Sequence, residues 1–259
     1  MLSRRLLLAT SAAAAATAQP AFRWPEGKSL AVSLTWDDAR LSQIDTGLKL
    51  LEQLKLKGTF YLSLPAMSKR VDGWREMIRQ GHEIGNHSTA HACTANYRFT
   101  RPLEDFTLEE MAADIDNATA QIESTLGVRT RQFAYPCGLK FVGRGRTTRS
   151  YVPLIADRFQ TGRGYLDEMP NLPRVCDFSQ LMGTHFDGRD FAWMKAVLDK
   201  AAQDNRWVIF AGHEIGKSAP QTTDVEALRQ LADYLKDPAN GIWVDTVGAV
   251  ATYLSQNRA

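Results

Sequence analysis

SLAVSLTWDD, residues 29–38, is the stretch from which the architecture can be read. Leu30, Val32, Leu34 and Trp36 fall on alternate positions, the period of a half-buried strand. The apolar run stops at two adjacent carboxylates, Asp37 and Asp38. Downstream, strand and then helix recur. Residues 41–56 carry Ile44, Leu48, Leu51 and Leu54 at helical spacing. GTFYLSL, 58–64, predicts a second strand that Pro65 stops. A short helix over 74–80 ends at Gly81, and a third strand covers 82–86. Thr107 and Glu110 make the capping box of the clearest helix, 107–126, which Gly127 ends. A fourth strand covers 132–136, a helix 148–157 and a short strand 159–161. Residues 162–188, rich in Gly, Pro and Asp, read as loops around one or two short strands. A helix over 191–203, the strand WVIFA at 207–211, a helix over 225–235, a strand at 242–244 and a helix over 247–254 complete the pattern.

This alternation implies an α/β protein with a parallel sheet or barrel and helices outside it. The chemistry-bearing residues sit at strand ends: Asp37 and Asp38 after the first, His87 and His91 after the third, Pro136-Cys137-Gly138 after the fourth, and His213 after WVIFA. In α/β barrels the C-terminal strand ends carry the site. His87 and His91, four apart, would share one helical face and reach one ion. Two imidazoles and a carboxylate form a three-ligand set that leaves a position open for water. Adjacent residues on a strand point to opposite faces, so the strand must bend if Asp37 and Asp38 are both to reach the site. The plainer alternatives are an exposed helical histidine pair, aspartates that cap a helix, and a structural His213. His82 reads as structural and His185 as a loop histidine without substrate contact. Trp36, Tyr135 and Trp243 read as core before they read as a sugar platform.

TWDD, HSTAH, RQFAYPCG and the late strand ending in His213 together resemble the polysaccharide deacetylases of carbohydrate esterase family 4, the nodulation-protein deacetylase homology domain. The resemblance runs from about Trp24 to Tyr253. It implies a distorted parallel (β/α) barrel of seven or eight strands, a divalent ion, and hydrolysis of N- or O-acetyl groups on an acetylated carbohydrate. Carried over by position, Asp37 is the general base and His213 the general acid. Asp38, His87 and His91 are the metal ligands, and the Cys137 N–H helps hold the oxyanion. Zinc suits this ligand set, with cobalt or nickel as alternatives. The chain departs from the pattern twice. The arginine that steadies the base is Ala134, and the tyrosine is Cys137. Arg163 and Arg174 are candidate replacements for the arginine, with Arg163 the one placed at the substrate side of the site. Asp177, Asp187 and Asp190 are candidate partners for His213. The departures leave room for a related amidase acting on a small cyclic or linear amide, and a barrel that only binds carbohydrate is a third reading.

Hydrophobic content of 44% and charged content of 23% are those of an ordinary globular protein. Ser3-Arg4-Arg5 followed by leucines, an alanine run and Ala16-Thr17-Ala18 reads as a twin-arginine export signal over 1–18. This predicts one barrel domain over 19–259 in a periplasmic or secreted protein. The apolar stretch falls short of the ~20 residues of a membrane span. The chain holds 31 basic and 29 acidic residues, and the signal takes Arg4 and Arg5 with no acid, so the remainder balances. Neither nucleic acid nor, once the signal is removed, a membrane is an expected partner. Cys93, Cys137 and Cys176 allow at most one internal bridge, and Cys93 reads as a small packed residue.

Overall fold

A computed structural model describes residues 22–98 and 101–258. The expected export signal lies outside the described residues. No described helix is long and apolar enough to cross a membrane.

The barrel strands are β1 (Leu30–Asp37), β2 (Thr59–Leu62), β3 (Glu83–Asn86), β4 (Gln132–Ala134), β7 (Thr161–Arg163), β8 (Thr184–His185), β9 (Trp207–Gly212) and β12 (Ile242–Val244). Between them lie a small hairpin of β5 (Phe141–Val142) with β6 (Arg149–Ser150), and a pair formed by β10 (Glu214–Gly216) and β11 (Thr222–Asp224). The helices are α1 (Lys49–Leu54), α2 (Leu64–Met67), α3 (Val71–Arg79), α4 (Leu108–Leu126), α5 (Val152–Arg158), α6 (Phe191–Ala202), α7 (Val225–Lys236) and α8 (Val247–Asn257).

The parallel sheet runs β7-β4-β3-β2-β1-β9-β8. One edge of β1 is shared: β12 pairs with Leu30 to Val32, and β2 takes over at Thr35. β9 covers the other edge from Ala31 to Trp36. The chain entering β8 connects the two ends of the sheet. Leu181 donates its N–H to Gly162 and accepts from Gly164, beside β7, and Thr184 and His185 then pair with β9. The result is the distorted parallel barrel that the strand–helix alternation and the resemblance implied.

Every residue of β1 is buried, because one face packs inside the barrel and the other under the helices. Trp36 and Tyr135 are core residues, while Trp243 packs on Trp24 and Tyr253 beside the start of β1. The capping box of α4 forms as read: Thr107 Oγ accepts from the Glu110 N–H, and Glu110 accepts from the Thr107 N–H. The stretch read as one helix over 41–56 contains a π-helical turn, Gln43–Leu48, before α1. Its Gln43 amide bridges the Asp37 and His213 carbonyls at 2.6 and 2.8 Å, tying the ends of β1 and β9 together.

Candidate active site

The site grows from a kink. Asp38 and Ala39 take φ values of +73° and +54°, a left-handed turn that L-residues adopt at a cost of ~1–2 kcal/mol each. The turn breaks the strand alternation, so Asp37 and Asp38 both line one cavity of about 530 Å³ at the C-terminal strand ends. His87, His91, Cys137 and His213 line the same cavity.

The histidine pair is not helical. β3 ends at Asn86, and residues 87–98 carry no helix or strand. Ser88 and His91 have φ of +62° and +47°. Polar side chains stabilise this turn in place of helical bonds. Asn86 Oδ1 accepts the Ser88 N–H at 2.7 Å, and Asp114 of α4 accepts from Thr89 and Ala90 at 3.0 and 2.8 Å. The two imidazoles nevertheless converge. His91 Nε2 lies 3.0 Å and His87 Nε2 3.4 Å from Asp38 Oδ1. His87 Nδ1 meets the Ala134 carbonyl at 2.9 Å. A carbonyl can only accept, so that nitrogen holds the proton and Nε2 turns a lone pair into the site.

Asp38 is divided between two tasks. Its Oδ2 accepts two bonds from Arg40, at 3.1 and 2.9 Å. Its Oδ1 is buried and has no aligned hydrogen-bond donor among the described residues. Burial raises the Asp38 pKa, but imidazoles protonated at the facing nitrogens outweigh it and hold the carboxyl well below the usual range. A buried carboxylate oxygen with two imidazole Nε2 atoms at 3.0 and 3.4 Å is a donor set that fits a divalent cation.

Arg163 is fully buried and does not line the cavity. Its Nη2 pairs with Asp37 Oδ1, its Nη1 donates to the Gly164 carbonyl at 2.7 Å, and its guanidinium lies 4.8 Å from the Tyr61 ring centre. Tyr61 fits there because Gly85 on β3 has no side chain; a Cβ would come within 2.4 Å of the ring. Ala134 and Arg163 are register partners across β4 and β7. The arginine missing from one strand is thus supplied at the same level by the next. Arg174 instead lies over Phe22, 5.9 Å from the ring centre.

His213 Nδ1 meets Asp187 Oδ2 at 2.7 Å, while Asp187 Oδ1 accepts from the His213 N–H and from Thr223. Burial by itself would lower the imidazole pKa. The Asp187 hydrogen bond and the charges of Asp37, Asp38 and Asp187 overcome it and raise the pKa above the ordinary value. Of the three aspartates read as candidate partners, Asp187 is the one in place; Asp177 and Asp190 cap helical turns. His82 is structural: it accepts the Gly58 N–H at 3.1 Å, and burial pushes its pKa down to about 4.

Cys93 is neither a thiol nor a ligand: it forms a disulfide with Cys137. Cys93 is packed in the core as read, but its bridge was not foreseen, because sequence spacing says nothing of the two turns meeting. Tyr97, Tyr165, Ser63 and Gln221 also line the cavity and were not read from the sequence. Tyr165 stands edge-on to His213 at 5.3 Å. It follows Arg163 by two residues, which is the signal that was there to find.

A model of polysaccharide deacetylases matches residues 17–150. A gellan lyase from Bacillus sp is 30% identical over 252 residues, 90% of this chain and 10% of that protein. The chain spans 30% or less of the length of the curated relatives it matches. Among solved structures, a Mycobacterium smegmatis protein described as a polysaccharide deacetylase superposes with a TM-score of 0.67 at 16% identity, covering 92% of this chain and 95% of its own. A family 4 acetyl xylan esterase of Clostridium thermocellum, in complex with a cobalt ion, gives 0.56 at 18% identity over 86% and 91%. At these identities the superpositions establish the fold.

Proposed function

Since the chain belongs to the polysaccharide deacetylase family, we propose that it is an exported, metal-dependent hydrolase that removes N- or O-acetyl groups from a carbohydrate. One observation carries the reading. A donorless Asp38 oxygen and two imidazole Nε2 atoms meet in the cavity where Asp37, held by Arg163, and His213, held by Asp187, also open.

Asp38, His87 and His91 are the residues that would hold the ion, with zinc the best match and cobalt or nickel alternatives. When bound, the ion supplies Lewis acidity to the acetyl carbonyl and to the attacking water. Asp37 accepts the proton of that water; its Oδ1 is held by Arg163, which keeps the carboxylate aimed. The Cys137 N–H, on the turn after β4, would donate to the developing oxyanion. His213 donates a proton to the leaving nitrogen or oxygen, and the Asp187 contact at Nδ1 leaves Nε2 for that transfer. The disulfide supports export to an oxidising compartment.

The test is acetate release by the purified chain from acetylated xylan, chitin oligomers and peptidoglycan fragments, with chelator and metal add-back. Release that stops with chelator and returns with Zn²⁺ is expected. Asp37→Asn should lower kcat ~10²–10⁴-fold while the chain keeps its ion. Ring opening of cyclic amides without acetate release would favour the amidase. Glycan binding with no turnover would favour the non-catalytic reading.

A further inference from the structure

The chemistry above uses neither sulfur of the bridge, yet the bridge sits inside the site. Cys93 follows His91 by two residues and is fully buried. Cys137 lines the cavity at φ +55°, on the turn that carries the proposed oxyanion donor. The bond joins the two turns across 44 residues, with their Cα atoms 5.9 Å apart.

The three candidate ligands are held unequally. Asp38 leaves directly from β1, and His87 is adjacent to β3 with its ring anchored on Ala134. His91 is the fifth residue of an irregular segment. Upstream of it, Asp114 holds Thr89 and Ala90, and Ser88 Oγ accepts the His91 N–H at 3.0 Å. Downstream, the Cys93 carbonyl accepts from Leu103 at 2.8 Å. His91 keeps a left-handed φ, a geometry that persists only where its surroundings over-determine it.

We propose that the Cys93–Cys137 disulfide is a positioning element of the active site: it fixes the His91 turn against the Cys137 turn, so that the third ligand and the oxyanion donor keep one separation around the same ion. The inference rests on the metal reading of Asp38, His87 and His91. Without the bridge, Asp38 and His87 stay in place at the ends of their strands while His91 samples positions away from them. A ligand that must be ordered at the moment of binding weakens the complex.

The experiment compares wild type with the double variant Cys93→Ala/Cys137→Ala, which keeps the backbone N–H at 137 and adds no free thiol. Cys176→Ala is the control. Each is titrated with Co²⁺ by calorimetry and by its visible absorption, and amide hydrogen exchange is followed in parallel. The double variant is expected to bind Co²⁺ about ten- to a hundredfold more weakly, the loss typical when support for a metal ligand is removed. Its exchange should accelerate over 87–98 and 136–138 with the barrel strands still protected. Unchanged Co²⁺ affinity and unchanged local exchange, with only a lower unfolding midpoint, would make the bridge a brace for the fold and overturn the proposal. If the double variant does not fold, native wild type reduced with a phosphine is titrated in its place, with the same two outcomes. Wild type that binds no divalent ion overturns the metal reading instead, and local exchange then decides this proposal by itself.

Discussion

Asp37 and Asp38 are adjacent, yet their surroundings assign them different work. Asp37 faces a guanidinium that never sees solvent, and Asp38 faces two imidazoles and the half-exposed Arg40. Arg163→Met leaves the Asp37 carboxylate buried and unmatched, so it should cost about 3–5 kcal/mol in chemical denaturation. Adding Asp37→Asn should return part of that. Asp187 acts through His213. As the proposed acid, His213 must be protonated, so activity should fall as pH rises through its pKa, which its partners raise. Asp187→Asn removes the carboxylate charge behind that hydrogen bond, and the alkaline limb of the kcat profile should move to lower pH. The sign for stability is the same. A histidine whose folded pKa is raised contributes stability that is full below ~6.5 and is lost as pH climbs through the folded value. At this scale the sequence was legible where one residue type has few uses. The aspartate pair and the histidines declared themselves, and Ala134 marked a missing charge. What filled the gap could be narrowed to Arg163 or Arg174 and no further, because the rung joining Ala134 to Arg163 is a tertiary pairing.

The element that most directly supports the His87–His91 turn is α4. Its first turn is capped by Thr107 and its second carries Asp114, whose carboxylate accepts two N–H bonds of the histidine turn. Burial raises the Asp114 pKa even though those bonds favour the ionised form. Asp114→Ala should therefore weaken Co²⁺ binding, measured by calorimetry, about ten- to a hundredfold. Thr107→Ala should cost ~1 kcal/mol of stability and leave Co²⁺ affinity alone. The contrast separates a helix that merely folds from one that holds a ligand turn. Element existence was readable here because α4 carries its own start and stop signals. The conformation of residues 87–91 was not. The H-x-x-x-H spacing suits a helix, but Asn86 and Asp114 offer the backbone better partners in a turn, and side chains that compete for backbone donors displace helical bonds.

Across the whole molecule, the bridge and the ion would act on the same balance. Closing a loop of 44 residues restricts the unfolded chain by ~4 kcal/mol in the chain-entropy account. An ion at a hundred times its dissociation constant adds about 2.7 kcal/mol. Stripping it with a chelator should lower Tm by roughly 5–10 °C in calorimetry, reversed by Zn²⁺. The barrel itself was legible because strand and helix alternate along the chain and the chemistry falls at one kind of boundary. The closure through Leu181 and β8 was not, since those strands are too short to show a period. The placement of the arginine has a final consequence. Asp38, His87 and His91 all precede residue 92, whereas Arg163, Asp187 and His213 all follow residue 160. On the proposed roles, the cation ligands and the base Asp37 are inherited with the front of the chain, and the acid with the partners that hold base and acid comes from the back, so kindred chains that diverge behind should come to differ in acidity of operation before they differ in choice of ion.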